Sequence, residues 1–231
     1  MTKSFRPTLI PTLFTIPALI VLVTLGTWQL HRLQWKEAII AEITQQKSLP
    51  VMNLNSANNT DGLQYRLVQV TGELLPDKNI FLYTGPKEFK GEAGYDIFSP
   101  LKMADGLTVL IDRGWIPESK KHASDWQQSG PVTIVGTFMK GEKKALFTPD
   151  NNLQKNIWFW IDLSAIREYL KMDIPNFYIM QAEGKDKNAL PIGRSFSVDR
   201  IRNDHLQYAI TWYSAALSLL VIYFLYHRKR R

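Results

Sequence analysis

The chain of 231 residues contains no cysteine. This absence excludes disulfide bonds, thiolate metal sites, iron–sulfur clusters and a cysteine nucleophile, and with them copper delivery through paired thiolates. Any folded domain must therefore be stabilised by packing alone. About 170 residues lie between the two apolar segments described next, and that length is sufficient for a hydrophobic core.

Charge is missing from two long segments. Residues 7–30 and 206–226, which are 24 and 21 residues long, contain no Asp, Glu, Lys or Arg. A helix needs about 20 apolar residues to cross the hydrocarbon core of a bilayer, so each segment predicts a transmembrane helix. The first segment could instead be a cleaved signal peptide, but it exceeds the usual length of such peptides and no small-residue cleavage site follows it. We therefore favour a retained span.

Acidic residues are absent from both ends of the chain. The ends outside the apolar segments carry six Lys or Arg residues, whereas all 21 acidic residues lie between the segments, together with 22 basic ones. The net charge of +7 is thus concentrated beside apolar sequence, which argues against a nucleic-acid partner. By the positive-inside rule, both termini are predicted to be cytoplasmic.

The predicted organisation is a two-helix hairpin that carries a large external domain. Its parts are a cytoplasmic N-terminus (1–6), a transmembrane helix (7–30), an external domain with a helical stalk (31–205), a second transmembrane helix (206–226) and a basic cytoplasmic tail (227–231). No Arg-rich, Ser-rich leader precedes the first span, which favours a bacterial cytoplasmic (inner) membrane and a periplasmic main domain. The mitochondrial inner membrane is the alternative for an organellar homologue.

The pattern between the two spans predicts a helical stalk followed by strands. Helical spacing continues to about Lys47 and ends at Pro50. Period-two alternation and turn residues predict strands at 65–72, 79–83, 94–100, 108–115, 131–139 and 176–181, and a helix at 165–170 capped by Asp162 or Ser164. The predicted fold class is therefore membrane α+β, with an external mostly-β domain that is a small barrel or a sandwich with one or two helices.

Aromatic and basic residues cluster at the outer ends of the two spans. They are Trp28, Arg32 and Trp35 on the first helix, and His205, Tyr208 and Trp212 on the second. The helical spacing places each set on one face, and with both termini inside the two faces lie at one depth. Such a site could accept a flat amphiphilic ligand, with the imidazole on a metal and Arg32 near acidic substituents.

Interfacial anchoring is the alternative interpretation of these residues. Trp, Tyr, His and Arg are common at a membrane boundary without any ligand. His31 lies at a depth similar to that of His205 and could supply a second axial ligand, although less plausibly. Residues alone leave the ligand site and the anchoring belt both open.

The densest polar motif of the external domain is Asp112-Arg113-Gly114-Trp115, at the end of an apolar strand. Its simplest interpretation is a buried or edge ion pair between Asp112 and Arg113, with Trp115 packed against the sheet. No Ser/His/Asp order, H-E-x-x-H motif or pair of His ligands can be assembled from the chain. We therefore expect a protein that is not an enzyme.

Four motifs occur in order along the chain. They are residues 26–36 (GTWQLHRLQWK), 94–101 (GYDIFSPL), 109–117 (VLIDRGWIP) and 203–213 (NDHLQYAITWY). Together they resemble the signature motifs of the surfeit locus protein 1 family of cytochrome c oxidase assembly factors. The resemblance covers nearly the whole chain, and four motifs around two spans form a specific match.

The resemblance implies a role in maturation of a haem–copper oxidase, at the stage where haem a reaches subunit I. It implies His205 as a haem a ligand. Trp28, Gln29, Arg32, Tyr208 and Trp212 are motif positions, and their contact with haem is inferred from helical spacing. The expected partners are cytochrome c oxidase subunit I, haem a synthase and membrane lipid, without nucleic acid. The alternative is a scaffold that stabilises a subunit I assembly intermediate without binding haem.

Overall fold

The structure is a computed structural model. It describes residues 4–5, 7–86, 91–184, 186, 189–194, 196, 198 and 202–229. The chain divides into two compact units, one formed by residues 1–42 and 198–231 and the other by residues 43–197. We call the first the helical unit and the second the β unit.

Two long apolar helices dominate the helical unit. Helix α1 (Leu9–Ser48) begins there, and helix α3 (His205–His227) lies wholly within it. Both are long and apolar enough to cross a membrane by length and composition. Helix α1 continues past Pro17, as membrane helices do where neighbouring groups satisfy the freed carbonyl. It ends at Ser48, shortly before Pro50, which confirms the predicted end of the helix near Lys47.

Polar contacts fix the two helices as an antiparallel pair. The bonded atoms are Thr8 Oγ1 and His227 Nε2 at 3.0 Å, Thr12 Oγ1 and the Tyr223 hydroxyl at 2.7 Å, and Thr27 Oγ1 and the Tyr213 hydroxyl at 3.0 Å. Gly26 is buried, and a Cβ there would lie 3.0 Å from the Tyr213 ring. Two short strands, β1 (Ser4–Phe5) and β9 (Arg228–Lys229), also pair antiparallel. The predicted two-helix hairpin is therefore present in the helical unit.

Among the residues that the structure describes, the β unit contains seven strands and one complete α-helix. The strands are β2 (Met52–Asn53), β3 (Leu67–Leu74), β4 (Ile80–Thr84), β5 (Gly94–Met103), β6 (Thr108–Pro117), β7 (Gly130–Lys140) and β8 (Phe177–Gln181), and the helix is α2 (Leu163–Leu170). Strands β3 to β8 lie within three residues of the predicted bounds. Asp162, not Ser164, caps helix α2, since its carboxylate accepts a hydrogen bond from Ala165 N at 3.1 Å.

The sheet of the β unit closes on itself. Its strand order is β2-β3-β7-β8-β6-β5-β4, and an additional pairing joins β3 to β5. Strands β3, β7, β8, β6 and β5 therefore form a closed five-stranded barrel, and β4 extends it beyond β5. Between the two architectures left open by the sequence, the structure thus has the small barrel and not the sandwich.

Two apolar layers cover the barrel strands. Every barrel strand contributes to the inner layer, with Val70, Leu101, Ile111, Phe138 and Ile179 as examples. The outer layer contains residues of strands β4 to β8, such as Phe98, Leu110 and Tyr178, together with Leu163, Ile166 and Leu170 of helix α2. Strands β5 and β6 are consequently buried on both faces, and this burial includes polar side chains such as Asp96, Asp112 and Arg113.

Candidate functional site

His205 is the first residue of helix α3 and is half-buried. Its Nδ1 lies 2.7 Å from Oε1 of Gln29 on helix α1. With a carboxamide oxygen as the acceptor, Nδ1 carries the proton, and the lone pair of the neutral ring is then on Nε2. This arrangement is typical of metal-binding histidines, in which the second ring nitrogen donates a hydrogen bond that holds the ring and selects the tautomer.

Trp28 and Arg32 lie on the exposed surface of helix α1. The Trp28 side chain is 51% exposed, and the Arg32 guanidinium lies 4.7 Å from the centroid of the Trp35 ring. Such a contact is a favourable cation–π interaction. The helical face predicted from the spacing of these three residues therefore combines a positive charge with two exposed indoles.

Tyr208 and Trp212 follow His205 on helix α3 by three and seven residues, so they share its side of that helix. Tyr208 is 51% exposed and Trp212 is half-buried. In the described part of the chain, hydrogen bonds and ring contacts join neither residue to Gln29 or Arg32. The direct contacts of the site are thus His205 with Gln29, and Arg32 with Trp35.

The motif predicts Gln29 as a haem contact but not as a hydrogen-bond partner of His205. This residue is a motif position that precedes Arg32 by three residues, yet only the fold brings its carboxamide to His205, 176 residues later. The sequence does indicate that this contact is feasible, because the predicted hairpin places Gln29 and His205 at the same end. A second link near this end joins Lys36 Nζ to the carbonyl oxygen of Arg202, within the same unit.

The Asp112 to Trp115 motif lies on strand β6 at a β-bulge. Asp96 pairs with Trp115 and Phe98 with Asp112, so two residues of β6 face Ile97 alone. Gly114 adopts φ +108, and a Cβ there would lie 2.2 Å from the carbonyl oxygen of Ile192. Only glycine suits this position, because the backbone conformation and the close approach both exclude a side chain.

The predicted ion pair between Asp112 and Arg113 is wrong. Neighbouring residues of a strand point to opposite faces. Asp112 accepts a hydrogen bond from Gly114 N at 3.0 Å, whereas Arg113 Nη2 donates to the carbonyl oxygen of Trp126 at 3.3 Å on the other side. Both side chains are buried, and burial lowers the pKa of Arg113. The other half of that interpretation is confirmed, since Trp115 is buried.

The fold and these contacts define a class of protein: two candidate membrane-spanning helices, paired antiparallel, bracket in sequence a mostly-β domain built on a small barrel. A sequence model described as the SURF1 family matches residues 16–217. The chain belongs to the SURF1 family.

Relatives from bacteria and animals resemble the chain over most of its length. The SURF1-like protein of Rickettsia conorii is 36% identical over 217 residues, which cover 90% of this chain and 88% of the relative. That of Rickettsia felis is 37% identical over 215 residues, covering 90% and 92%. Surfeit locus protein 1 of Rattus norvegicus is 30% identical over 219 residues, covering 87% and 70%.

Proposed function

We propose that the protein is a non-enzymatic assembly factor of cytochrome c oxidase, which holds haem a at the outer membrane boundary for insertion into subunit I. Membership of the SURF1 family supports the assembly role. The hydrogen bond between His205 Nδ1 and Gln29 Oε1 is the observation that supports the haem role. Subunit I and haem a synthase are the proposed partners.

The residues at this end of the hairpin fit a haem. His205 offers Nε2 as a lone-pair donor, because Gln29 holds the proton on Nδ1. The exposed rings of Trp28 and Tyr208 offer flat apolar surface to a porphyrin, and Arg32 offers positive charge to its carboxylates. When bound, haem a supplies the iron chemistry, and the protein supplies a ligand, orientation and partial exclusion of water.

The proposed location is a bacterial inner membrane, with both termini cytoplasmic and the β unit periplasmic. The two apolar helices are compatible with a membrane protein. The six basic residues at the chain ends support this orientation by the positive-inside rule. Membrane lipid would then cover the outward apolar side chains of helices α1 and α3.

The test is the haem content of the full-length protein purified from cells that make haem a. We expect a haem spectrum in the wild type, loss of most haem in His205→Ala, and a weaker or shifted spectrum in Gln29→Ala. Loss of the Gln29 hydrogen bond should lower haem affinity about 10- to 100-fold, as for other residues that orient a metal ligand. His31→Ala is the matched control and should keep its haem. Unchanged haem in His205→Ala would remove this residue from the proposal.

A scaffold that stabilises subunit I without haem is the second candidate function. The polar contacts of Thr12 with Tyr223 and of Thr27 with Tyr213 favour it, because they join helices α1 and α3 without His205. A scaffold would co-purify with subunit I in colourless form. Its His205→Ala variant would still support oxidase assembly in cells, whereas the haem-holding function predicts an assembly defect.

A further inference from the structure

A cavity of about 370 Å³ lies on the outer side of the barrel, wholly within the β unit. Strands β4, β5, β6 and β8 contribute to its lining, together with residues of the segments 142–148 and 159–161 and with Arg194. The volume is in the range of small-molecule sites, which is roughly 300–1,000 Å³. No step of the proposed haem-holding function uses this cavity.

Asp112 is a buried carboxyl group on the cavity wall, with 7% of its surface exposed. Its Oδ1 accepts the hydrogen bond from Gly114 N. Among the residues that the structure describes, none donates a hydrogen bond to Oδ2. A buried carboxylate with an unused oxygen is unfavourable, so this oxygen is available to a donor that enters the cavity.

The lining contains four other charged side chains, two of which form an ion pair with each other. Asp96 forms an ion pair with Arg194 and accepts a hydrogen bond from the Thr84 hydroxyl at 2.9 Å. Glu142 and Lys143 add one charge of each sign. When Asp112 is ionised, the lining therefore carries one more negative than positive charge, which favours a cation.

Aromatic rings form much of the remaining wall. Tyr83 and Phe159 contact each other with ring centroids 5.9 Å apart, and Trp160 and Tyr178 also line the cavity. Aromatic faces beside a carboxylate suit ammonium and guanidinium groups, which gain cation–π attraction as well as a hydrogen bond. Within the described residues, no three His, Asp or Glu side chains are grouped closely enough to hold a metal ion, so an organic cation fits better.

We propose that this cavity binds an organic cation, a guanidinium or alkylammonium group, with Asp112 as its counterion and the aromatic rings as its walls. The cation belongs either to a free small molecule or to an Arg or Lys side chain of a partner protein, because both present the same chemistry. The proposal is independent of haem binding, since it involves other residues in the other unit.

The affinity should depend on pH in a defined direction. Burial and the neighbouring Asp96 raise the pKa of Asp112 to about 7, and Arg194 opposes them. Burial also raises the pKa of Tyr178, so this ring stays neutral. Glu142 and Lys143 also line the cavity, and Asp112 is the group whose raised pKa lies near neutrality. Binding should therefore strengthen from about pH 6 to about pH 8.5.

The first experiment titrates the full-length protein in detergent micelles with methylguanidinium, at both pH values. Tryptophan fluorescence is the readout, because Trp160 lines the cavity. N-methylurea, a neutral analogue of similar shape, is the ligand control. We expect a saturable response to methylguanidinium that is stronger at the higher pH, and no saturable response to N-methylurea. No saturable response to methylguanidinium at either pH would overturn the proposal.

Two variants locate the site. Asp112→Asn should weaken methylguanidinium binding about ten-fold or more, as expected when a charge-assisted hydrogen bond is removed. Asp125→Asn is the matched control, because Asp125 is an exposed carboxylate paired with Lys120 and should leave binding unchanged. Phe159→Leu keeps every charge and should weaken binding several-fold, which covers the case in which Asp112→Asn does not fold. Wild-type affinity in a folded Asp112→Asn variant would contradict the assignment, and so would wild-type affinity in Phe159→Leu.

A last comparison separates the two sources of the cation. A short capped peptide with one arginine is titrated beside methylguanidinium. Much tighter binding of the peptide indicates a partner's side chain, and equal binding indicates a free small molecule. Binding of neither ligand would again overturn the proposal.

Discussion

In the β unit, five strands enclose apolar side chains such as Val70, Ile111 and Phe138, whereas in the helical unit most large apolar side chains point outward. Polar contacts join helices α1 and α3 along their length, from Thr8 and His227 at one end to Gln29 and His205 at the other. Lipid tails are as apolar as leucine, so hydrogen bonds and close packing must hold helices together in a bilayer.

The comparison shows where each unit places its unusual polar groups. In the helical unit, His205 and Gln29 meet between helices that are otherwise apolar on the outside. In the β unit, Asp96 and Asp112 are buried beside the apolar outer layer of the barrel. Each proposed site is therefore a polar region within apolar surroundings. A ligand there can pair with a polar group whose hydrogen-bonding capacity the fold itself does not fully use.

The largest expected effect comes from truncating one isoleucine in each unit. Ile111→Ala should lower the free energy of unfolding of the β unit by about 2–5 kcal/mol, because Ile111 is fully buried in the barrel. Ile222→Ala should change the stability of the helical unit by about 0.5 kcal/mol or less, because the Ile222 side chain is 63% exposed. Denaturant unfolding in micelles measures both. Equal losses of unfolding free energy in the two variants would contradict the contrast between a buried Ile111 and an exposed Ile222.

The next effect is a pH dependence confined to the β unit. Burial raises the pKa of Asp112 to about 7 from 3.8, so between these values the folded state holds a proton that the unfolded chain has released. Stability should thus fall as pH rises from about 4 to about 7, by a few kcal/mol, and then level off.

Asp112→Asn is the variant that tests this pH dependence. It should flatten the fall in stability and should make the β unit more stable than the wild type at about pH 8. The measurement is the free energy of unfolding across this pH range. Asp125→Asn serves as the control, because its exposed carboxylate has a pKa lowered by the hydrogen bond from Lys120. A wild type whose stability rises over this range would refute the prediction.

The smallest effect tests the polar contacts between the helices. Tyr213→Phe removes the hydroxyl that lies 3.0 Å from Thr27 Oγ1 and should destabilise the helix pair by about 0.6 kcal/mol. Tyr226→Phe removes a hydroxyl from an exposed side chain and should have no measurable effect. Unfolding in mixed micelles provides the readout, and the same loss in both variants would argue against a specific role for the Thr27 contact.

Local patterns were sufficient to predict most elements of the fold. Alternation in residues 65–72 predicted strand β3, and the charge-free segments predicted the apolar parts of helices α1 and α3. Closure of the barrel was not predictable, because the pairing of Gly72 with Met103 leaves no local mark in either strand. Long-range pairing is set by the combined packing of all strands.

The candidate sites likewise combine features that local spacing predicts with long-range contacts that it does not. Spacing along one helix predicted the shared face of Trp28, Arg32 and Trp35. The contact of His205 with Gln29 joins two helices, and the link of Asp96 to Arg194 joins segments far apart in sequence, so neither has a local signal. The mistaken ion pair could have been avoided, because strand alternation already separates Asp112 from Arg113.

The bulge at Gly114 also changes the pattern of side-chain alternation along strand β6. Arg113 and Gly114 together face Ile97. Along the sequence of β6, the alternation of inward and outward side chains is therefore offset by one residue after the bulge. Deleting one of these two residues would remove the bulge and leave a regular ladder, in which Asp112 still pairs with Phe98 and Trp115 with Asp96. An insertion or deletion of one residue elsewhere in strand β6 would exchange inward and outward side chains beyond it. The glycine therefore marks the point at which the strand accommodates its extra residue.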